Sequence, residues 1–140
     1  MKLSEVANKV INLAGKIREY YATELPKRHP NYPLVDPFEA SMPPPPEEKV
    51  LRSFLATLSE DMIYQLILIM YLGRGDFGTE DLAENHETLR GTFGGPEHAV
   101  SQMMGKAPLA DYLSDGLEAL RQHKINPDKL PLKKVVLRKR

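Results

Sequence analysis

Apolar residues recur every three or four positions along most of the chain, and this spacing predicts amphipathic helices. Ser4 and Glu5 mark a plausible start for the first helix, and Pro26 with Pro30 sets an expected end near Glu24, because proline interrupts a helix. The alternation of threes and fours also resembles a coiled-coil seam, so the stripe could pack on the chain's own core or against a second copy. Its members are Leu3, Val6, Val10, Leu13, Ile17 and Tyr20.

Eight prolines fall between Leu25 and Pro46 and separate the first helix from the rest of the chain. Each proline fixes its own φ and disfavours helical backbone in the residue before it. We therefore expect an irregular surface connection that includes a short polyproline II stretch at Pro43 to Pro46. Pro46 is also well placed to open the next helix.

The second helix carries an apolar stripe from Val50 to Leu58, and Ser59 is the predicted N-cap of a third. The third helix, from about Glu60 to Leu72, is apolar on nearly every face. Such a helix is stable only when others surround it, so it is the predicted centre of the fold. Gly73 follows it, where a left-handed C-cap is expected.

Three more helices are predicted in the C-terminal half. The fourth begins near Thr79, the fifth begins at Pro96 after a Gly-Gly break, and the sixth carries a stripe from Leu109 to Leu120. Gly116 lies within that stripe, and a glycine there usually lets another helix approach closely.

The predicted fold class is therefore all-α: a single-domain bundle of five to six helices around a central hydrophobic helix, with a proline-rich strap and a basic C-terminal tail. The helical domain is expected to span 1–123, with the proline-rich connection at 25–46 inside it. Residues 124–140 are expected to form an irregular basic tail that docks through Ile125, Leu130 and Leu132.

Two sequence blocks resemble the bacterial family called Domain of Unknown Function 3775. The first, LILIMYLGRGDF at 66–77, has a hydrophobic helix that ends in an aromatic residue and a GRGDF-like turn. The second, PLADYLSDGLEAL at 108–120, has a DYL-x-x-GL helix. Tyr71 stands where the family pattern has tryptophan. The resemblance covers roughly residues 47–120, and it implies a fold but no activity, because the family is uncharacterised.

Composition narrows the classes of function. Nineteen basic and nineteen acidic residues give no net charge, and the absence of cysteine excludes disulfides, thiol nucleophiles and thiolate zinc sites. The apolar window from Met62 to Leu72 is too short to cross a bilayer, and polar residues interrupt the N-terminus where a signal peptide would be apolar. We therefore expect a cytoplasmic protein with no membrane partner.

The charge is unevenly distributed along the chain. Residues 38–123 hold six basic and fourteen acidic residues, whereas residues 124–140 hold seven basic and one acidic. The tail could contact nucleic acid or another acidic partner, or it could neutralise the acidic body of its own chain. The candidate contacts are Lys133, Lys134, Arg138, Lys139 and Arg140.

The turn after the third helix is the most distinctive candidate site, and its residues are Tyr71, Arg74 and Asp76. The Arg74 guanidinium could bind a carboxylate or phosphate of a ligand or partner. In the alternative interpretation, two glycines permit a tight turn, and Arg74 and Asp76 satisfy nearby backbone groups.

No pattern of catalytic residues is evident, and no metal or cofactor is expected. Glu80, Glu84 and Glu87 share a helix face that is typical of a solvated surface, and His86 lies on the apolar line of that helix. We therefore expect a non-catalytic module that binds another protein or self-associates. The alternatives are a nucleic-acid accessory protein that uses the tail, and a small-ligand domain with a pocket between the third and sixth helices near Arg74.

Overall fold

A computed structural model describes residues 2–28 and 44–130, and all regular structure within these ranges is helical. Two 3₁₀ turns, at Thr79–Asp81 and Pro127–Lys129, accompany the α-helices. The prediction of an all-α bundle is confirmed. The helices are α1 (Leu3–Arg28), α2 (Pro46–Ala56), α3 (Glu60–Arg74), α4 (Leu82–Phe93), α5 (Pro96–Met104) and α6 (Leu109–Gln122).

Helix α3 is the centre of the bundle, as its all-round apolar sequence predicts. Ser59 caps its N-terminus by accepting a hydrogen bond from the Met62 N–H at 3.2 Å. Nine of its residues are buried, and α1, α4, α5 and α6 all pack on it. Gln65, the polar residue of the apolar window, donates its side-chain amide to the Leu130 carbonyl oxygen at 2.7 Å.

Helices α3 and α6 touch through their backbones at two glycines. A Cβ atom added to Gly73 would lie 2.6 Å from the backbone nitrogen of Gly116. A Cβ atom added to Gly116 would lie 2.7 Å from Cγ2 of Ile69. The close approach predicted from Gly116 is confirmed, and its partner is α3.

The predicted C-cap of α3 at Gly73 is wrong. The helix continues to Arg74, and Gly75 takes the left-handed conformation with φ +92°. The reason is tertiary: Gly73 is needed inside the helix, where its missing side chain admits α6.

Helix α1 is longer than expected, because it runs through Pro26 to Arg28. A proline removes one backbone hydrogen bond and crowds the carbonyl four residues earlier, but only two residues of α1 follow Pro26, so the cost falls at the very end of a long helix. The described part of the connection ends in Pro45, whose φ of −70° and ψ of 155° are those of polyproline II, and Pro46 opens α2 as predicted. Residues 29–43 lie outside the described residues.

The apolar stripe of α1 faces the interior of its own bundle. Leu3, Val6 and Val10 are at most 3% exposed, and Leu13 and Ile17 pack against the same core. Leu3, Val6 and Val10 are therefore not free to contact a second copy of the folded chain, whereas the C-terminal members of the stripe, including Tyr20, are only partly buried.

The segment after α6 docks on the bundle as expected. Leu130 is buried and Ile125 is half-buried, and Asp128 accepts hydrogen bonds from the backbone N–H and the hydroxyl of Ser4, at 2.8 and 3.1 Å. The third expected anchor, Leu132, lies outside the described residues.

Candidate functional site

The site begins with the way α3 ends. The Gly75 N–H donates to the Leu72 carbonyl at 3.1 Å, and the Asp76 N–H donates to the Tyr71 carbonyl at 3.1 Å. These two bonds form a Schellman motif, which requires the left-handed backbone that Gly75 supplies. Backbone N–H groups thus satisfy the Tyr71 and Leu72 carbonyls, so the side chains of Arg74 and Asp76 are not needed for these two.

Arg74 and Asp76 pair with each other across this turn. Arg74 donates from Nε to Oδ1 at 2.9 Å and from Nη2 to Oδ2 at 2.6 Å, a two-pronged arrangement. This hydrogen-bonded pairing lowers the pKa of Asp76 below its usual range and raises the pKa of Arg74. About a third of each side chain is exposed, so the pair lies at the surface. The guanidinium also stacks 4.8 Å above the ring of buried Tyr71.

The structure therefore brings together the three residues singled out from the sequence. They form one wall of a groove of about 330 Å³ between the end of α3, α4 and α5. We call this the turn groove. Besides Tyr71, Arg74 and Asp76, its lining consists of Phe77, Leu89, Phe93, Asn85, Thr92 and Gln102.

The position of the turn groove differs from the sequence-based expectation. The small-ligand alternative places a pocket between the third and sixth helices near Arg74, but Gly73 and Gly116 bring α3 and α6 into backbone contact there. Because the two backbones touch at these glycines, no pocket fits between α3 and α6 there. The turn groove instead lies between the end of α3 and helices α4 and α5.

An arginine on α4 fixes that helix against the start of α3. Arg90 donates to Asp61 at 2.7 Å and to Glu60 at 2.9 Å, and its guanidinium lies 5.1 Å from the ring centre of Tyr64. These contacts hold α4 against the first turns of α3, and none of the four residues lines the turn groove.

His86 packs beneath this cluster, on the apolar line of α4 as expected. It is 8% exposed, and its Nε2 atom has no hydrogen-bond partner within the described residues. Burial is the main cause that lowers the pKa of His86, and the positive charge of Arg90 acts in the same direction. Asp61 and Glu87 oppose the shift. Burial and Arg90 thus both favour the neutral form of the imidazole.

The other features considered in the sequence are a metal site, a membrane-spanning helix and the basic tail. Within residues 2–28 and 44–130, no group of three or more acidic, histidine or cysteine side chains is arranged to hold a metal ion. Over the same ranges, no helix combines the length and apolar character needed to cross a membrane. The tail residues Lys133, Lys134, Arg138, Lys139 and Arg140 lie outside the described residues.

Fold and site together define a small helical-bundle protein with a paired arginine–aspartate turn at the end of its central helix. Residues 48–121 match the model of the family described as Protein of unknown function (DUF3775), and the chain therefore belongs to this family. No match was found among curated proteins or among solved structures. The matched segment includes every residue that lines the turn groove.

Sequence reasoning missed most of the groove lining. Leu89 and Phe93 lie at the helical spacing that is typical of core residues. Asn85 and Gln102 are single amide residues that belong to no recognisable motif. Only Phe77, the last residue of the GRGDF turn, lies within the motif that the sequence singles out. The other lining residues come together through the packing of α4 and α5.

Proposed function

We propose that the protein is a non-catalytic protein-binding module that holds an extended polypeptide segment in the turn groove. The main support for the proposal is the Arg74–Asp76 pair. These two side chains neutralise each other, and they line a groove whose other members include aromatic and amide side chains. The polar groups of the groove suit the backbone of a peptide, and its apolar groups suit the peptide's side chains.

The paired turn favours a neutral hydrogen-bonding ligand over a free anion. Asp76 already occupies two donors of Arg74 and balances its charge, so a phosphate or carboxylate would have to displace Asp76. The guanidinium has five N–H groups in total, and the remaining ones can donate to carbonyl oxygens.

The rest of the lining matches a peptide. The Gln102 side chain makes no hydrogen bond within the described residues, and the Asn85 side chain makes one, from Nδ2 to the Asp81 carbonyl at 2.8 Å. Their remaining amide groups can donate to and accept from a peptide backbone. Phe77, Leu89 and Phe93 offer apolar surface to its side chains.

Another protein is the better-supported partner than a second copy of this chain. The N-terminal part of the α1 stripe, Leu3 to Val10, is in the core, and Gly116 is in contact with α3. Within the described residues, Val50 at 48% is the exposed large apolar side chain. A single such residue is common on monomeric proteins and does not make an interface.

A random-peptide display library, selected against the full-length protein, tests the proposal. The affinity of a selected peptide is then measured for two matched variants at exposed positions, Thr92→Arg in the turn groove and Ser114→Arg on α6. We expect Thr92→Arg to weaken binding by about tenfold or more, as for a blocked contact of about 1.4 kcal/mol, and Ser114→Arg to leave it unchanged. Equal binding by both variants, or a library that yields no peptide, would contradict the proposal.

The selected peptide also distinguishes this proposal from the alternative in which the basic tail binds nucleic acid. Deletion of residues 133–140 is expected to leave the affinity for the selected peptide unchanged, because the peptide site is formed by α3, α4 and α5. Binding to duplex DNA that falls steeply with salt, and that disappears on this deletion, would favour the tail instead.

A further inference from the structure

Helix α4 is attached to the bundle through few buried side chains, and one of them is a histidine. Two of its residues, Leu82 and His86, are buried, against nine residues of α3. Arg90 also ties α4 to Glu60 and Asp61, but these carboxylates are 51% and 75% exposed, and ion pairs of such exposed groups contribute little to stability. The docking of α4 therefore depends strongly on a side chain that can become charged.

His86 lies on the same side of α4 as two residues of the turn groove. Leu89 and Phe93 follow it by three and seven positions, a spacing that places all three on one side of a helix. Asn85 and Thr92 also line the groove, so α4 supplies four of its nine lining residues. A movement of α4 away from α3 would therefore take the turn groove apart.

The surroundings of His86 suit a neutral imidazole. The side chain is 8% exposed, and a proton added at Nε2 would have no acceptor within the described residues. Arg90 opposes a positive charge there, whereas Asp61 of α3 and Glu87 of α4 favour it. The other ionisable groups of the first half of α3 contact Arg90, and those of α4, of α5 and of the 3₁₀ turn before α4 are exposed; they are Glu60 and Tyr64, and Glu80, Asp81, Glu84, Glu97 and His98. A proton on His86 therefore costs more free energy in the docked helix than in a released one.

The release of α4 would expose its backbone amides to solvent. Gly94 and Gly95 join α4 to α5, and glycine allows such a connection to change direction at low cost. An isolated helix of 12 residues is only marginally stable in water. The amides of a released α4 therefore exchange their hydrogens with solvent.

We propose that His86 couples the turn groove to pH: a proton on its imidazole weakens the docking of α4 on α3 and so destabilises the groove. Burial lowers the pKa of His86 in the docked helix. Docking is therefore strongest above about 6.5, the ordinary pKa of histidine, and weakens as the pH falls below that value. The value of this device for binding rests on the proposed function of the groove, whereas the release of α4 can be measured without any ligand.

Amide hydrogen exchange of the ligand-free, full-length protein at pH 7.5 and 5.5 tests the release of α4. The α4 amides should be less protected than those of α3 at both pH values, because α4 separates while the rest of the bundle stays folded. After correction for the intrinsic effect of pH on exchange, we expect α4 protection to fall by about threefold to tenfold at pH 5.5. One proton changes an equilibrium by at most about tenfold per pH unit, and the lower pH lies about one unit below the ordinary pKa.

Substitutions identify the group responsible. His86→Leu and His86→Gln remain neutral at both pH values and should not show the acid-dependent loss of α4 protection, and two variants keep the test valid if one of them fails to fold. The matched control is His98→Gln, at an exposed position of α5, which should behave as the wild type does.

A library-selected peptide that lacks histidine tests the link to the groove. At pH 5.5, a peptide concentration ten times its Kd should raise α4 protection by about tenfold, because the peptide binds only the docked helix. The inference is overturned if α4 is as protected as α3, if its protection does not fall with pH, if both His86 variants show the same fall, or if a peptide binds without protecting α4. A library that yields no peptide contradicts the proposed function alone, since the exchange of the α4 amides still decides whether His86 controls the helix.

Discussion

The contact between α3 and α6 makes a sharp prediction at Gly116. In Gly116→Ala the new Cβ would lie 2.7 Å from Cγ2 of Ile69 and 3.0 Å from the Ile69 carbonyl carbon. Non-bonded carbon atoms prefer about 3.5–4.0 Å, so the overlap is about 1 Å. The carbonyl carbon belongs to the backbone of α3 and cannot rotate away, so the two helices would have to separate.

The expected cost follows from two opposing effects. Alanine favours a helix over glycine by about 1 kcal/mol, which would stabilise the variant. Overpacking of a core costs about 1–3 kcal/mol where side chains can adjust, and a clash with backbone lies at or above the upper end. We therefore expect Gly116→Ala to lower the free energy of unfolding by about 2 kcal/mol.

Two glycines in open space provide the control. Gly15 in α1 and Gly91 in α4 have nothing within 4 Å of an added Cβ. Gly15→Ala and Gly91→Ala should each raise stability by about 0.5–1 kcal/mol through helix propensity alone. Urea unfolding followed by circular dichroism measures all three variants. A Gly116→Ala protein as stable as the wild type would refute the close α3–α6 contact.

Two titratable groups give further predictions. His86→Leu should raise the free energy of unfolding by about 1 kcal/mol, because it removes an unpartnered buried nitrogen. Since the pKa of His86 is lowered, wild-type stability should fall as the pH drops below its unfolded value near 6.5, and denaturant unfolding should show a smaller fall in the leucine variant. Burial and the hydrogen bond to Glu48 raise the pKa of Tyr21 to about 12 from 10.0. The stability that Tyr21 contributes should therefore be complete below pH 10 and lost between 10 and 12, and Tyr21→Phe should lack that loss; identical pH curves would contradict this assignment.

The secondary structure could be predicted because its signals are local. Ser59 and Pro46 mark helix starts through their own backbone and side-chain chemistry, and they do so whatever packs nearby. The all-round apolar sequence of α3 likewise allows only a central position.

The errors arose where tertiary contacts override local rules. A glycine directly after an apolar run is a common C-cap, but at Gly73 the demand for close packing against α6 outweighs it, and Gly75 takes the cap. The α1 stripe is a different case: its spacing fits both an interior face and an interface, and the packed bundle buries its N-terminal part in the core.

The site was predictable only where it is contiguous in sequence. Tyr71, Arg74 and Asp76 lie within six residues, and one helix terminus brings them together. Phe93 and Gln102 reach the same groove from α4 and α5, and their approach depends on how those helices pack on α3.

Nuclear magnetic resonance of the isotope-labelled full-length protein, titrated with a library-selected peptide, tests the central claim most directly. If the turn groove binds the peptide, the backbone amide signals that shift most will belong to residues 71–77, 85–93 and the neighbourhood of Gln102. Shifts confined to α1 and α2, or to the tail beyond residue 130, would contradict the assignment of the turn groove as the protein-binding site.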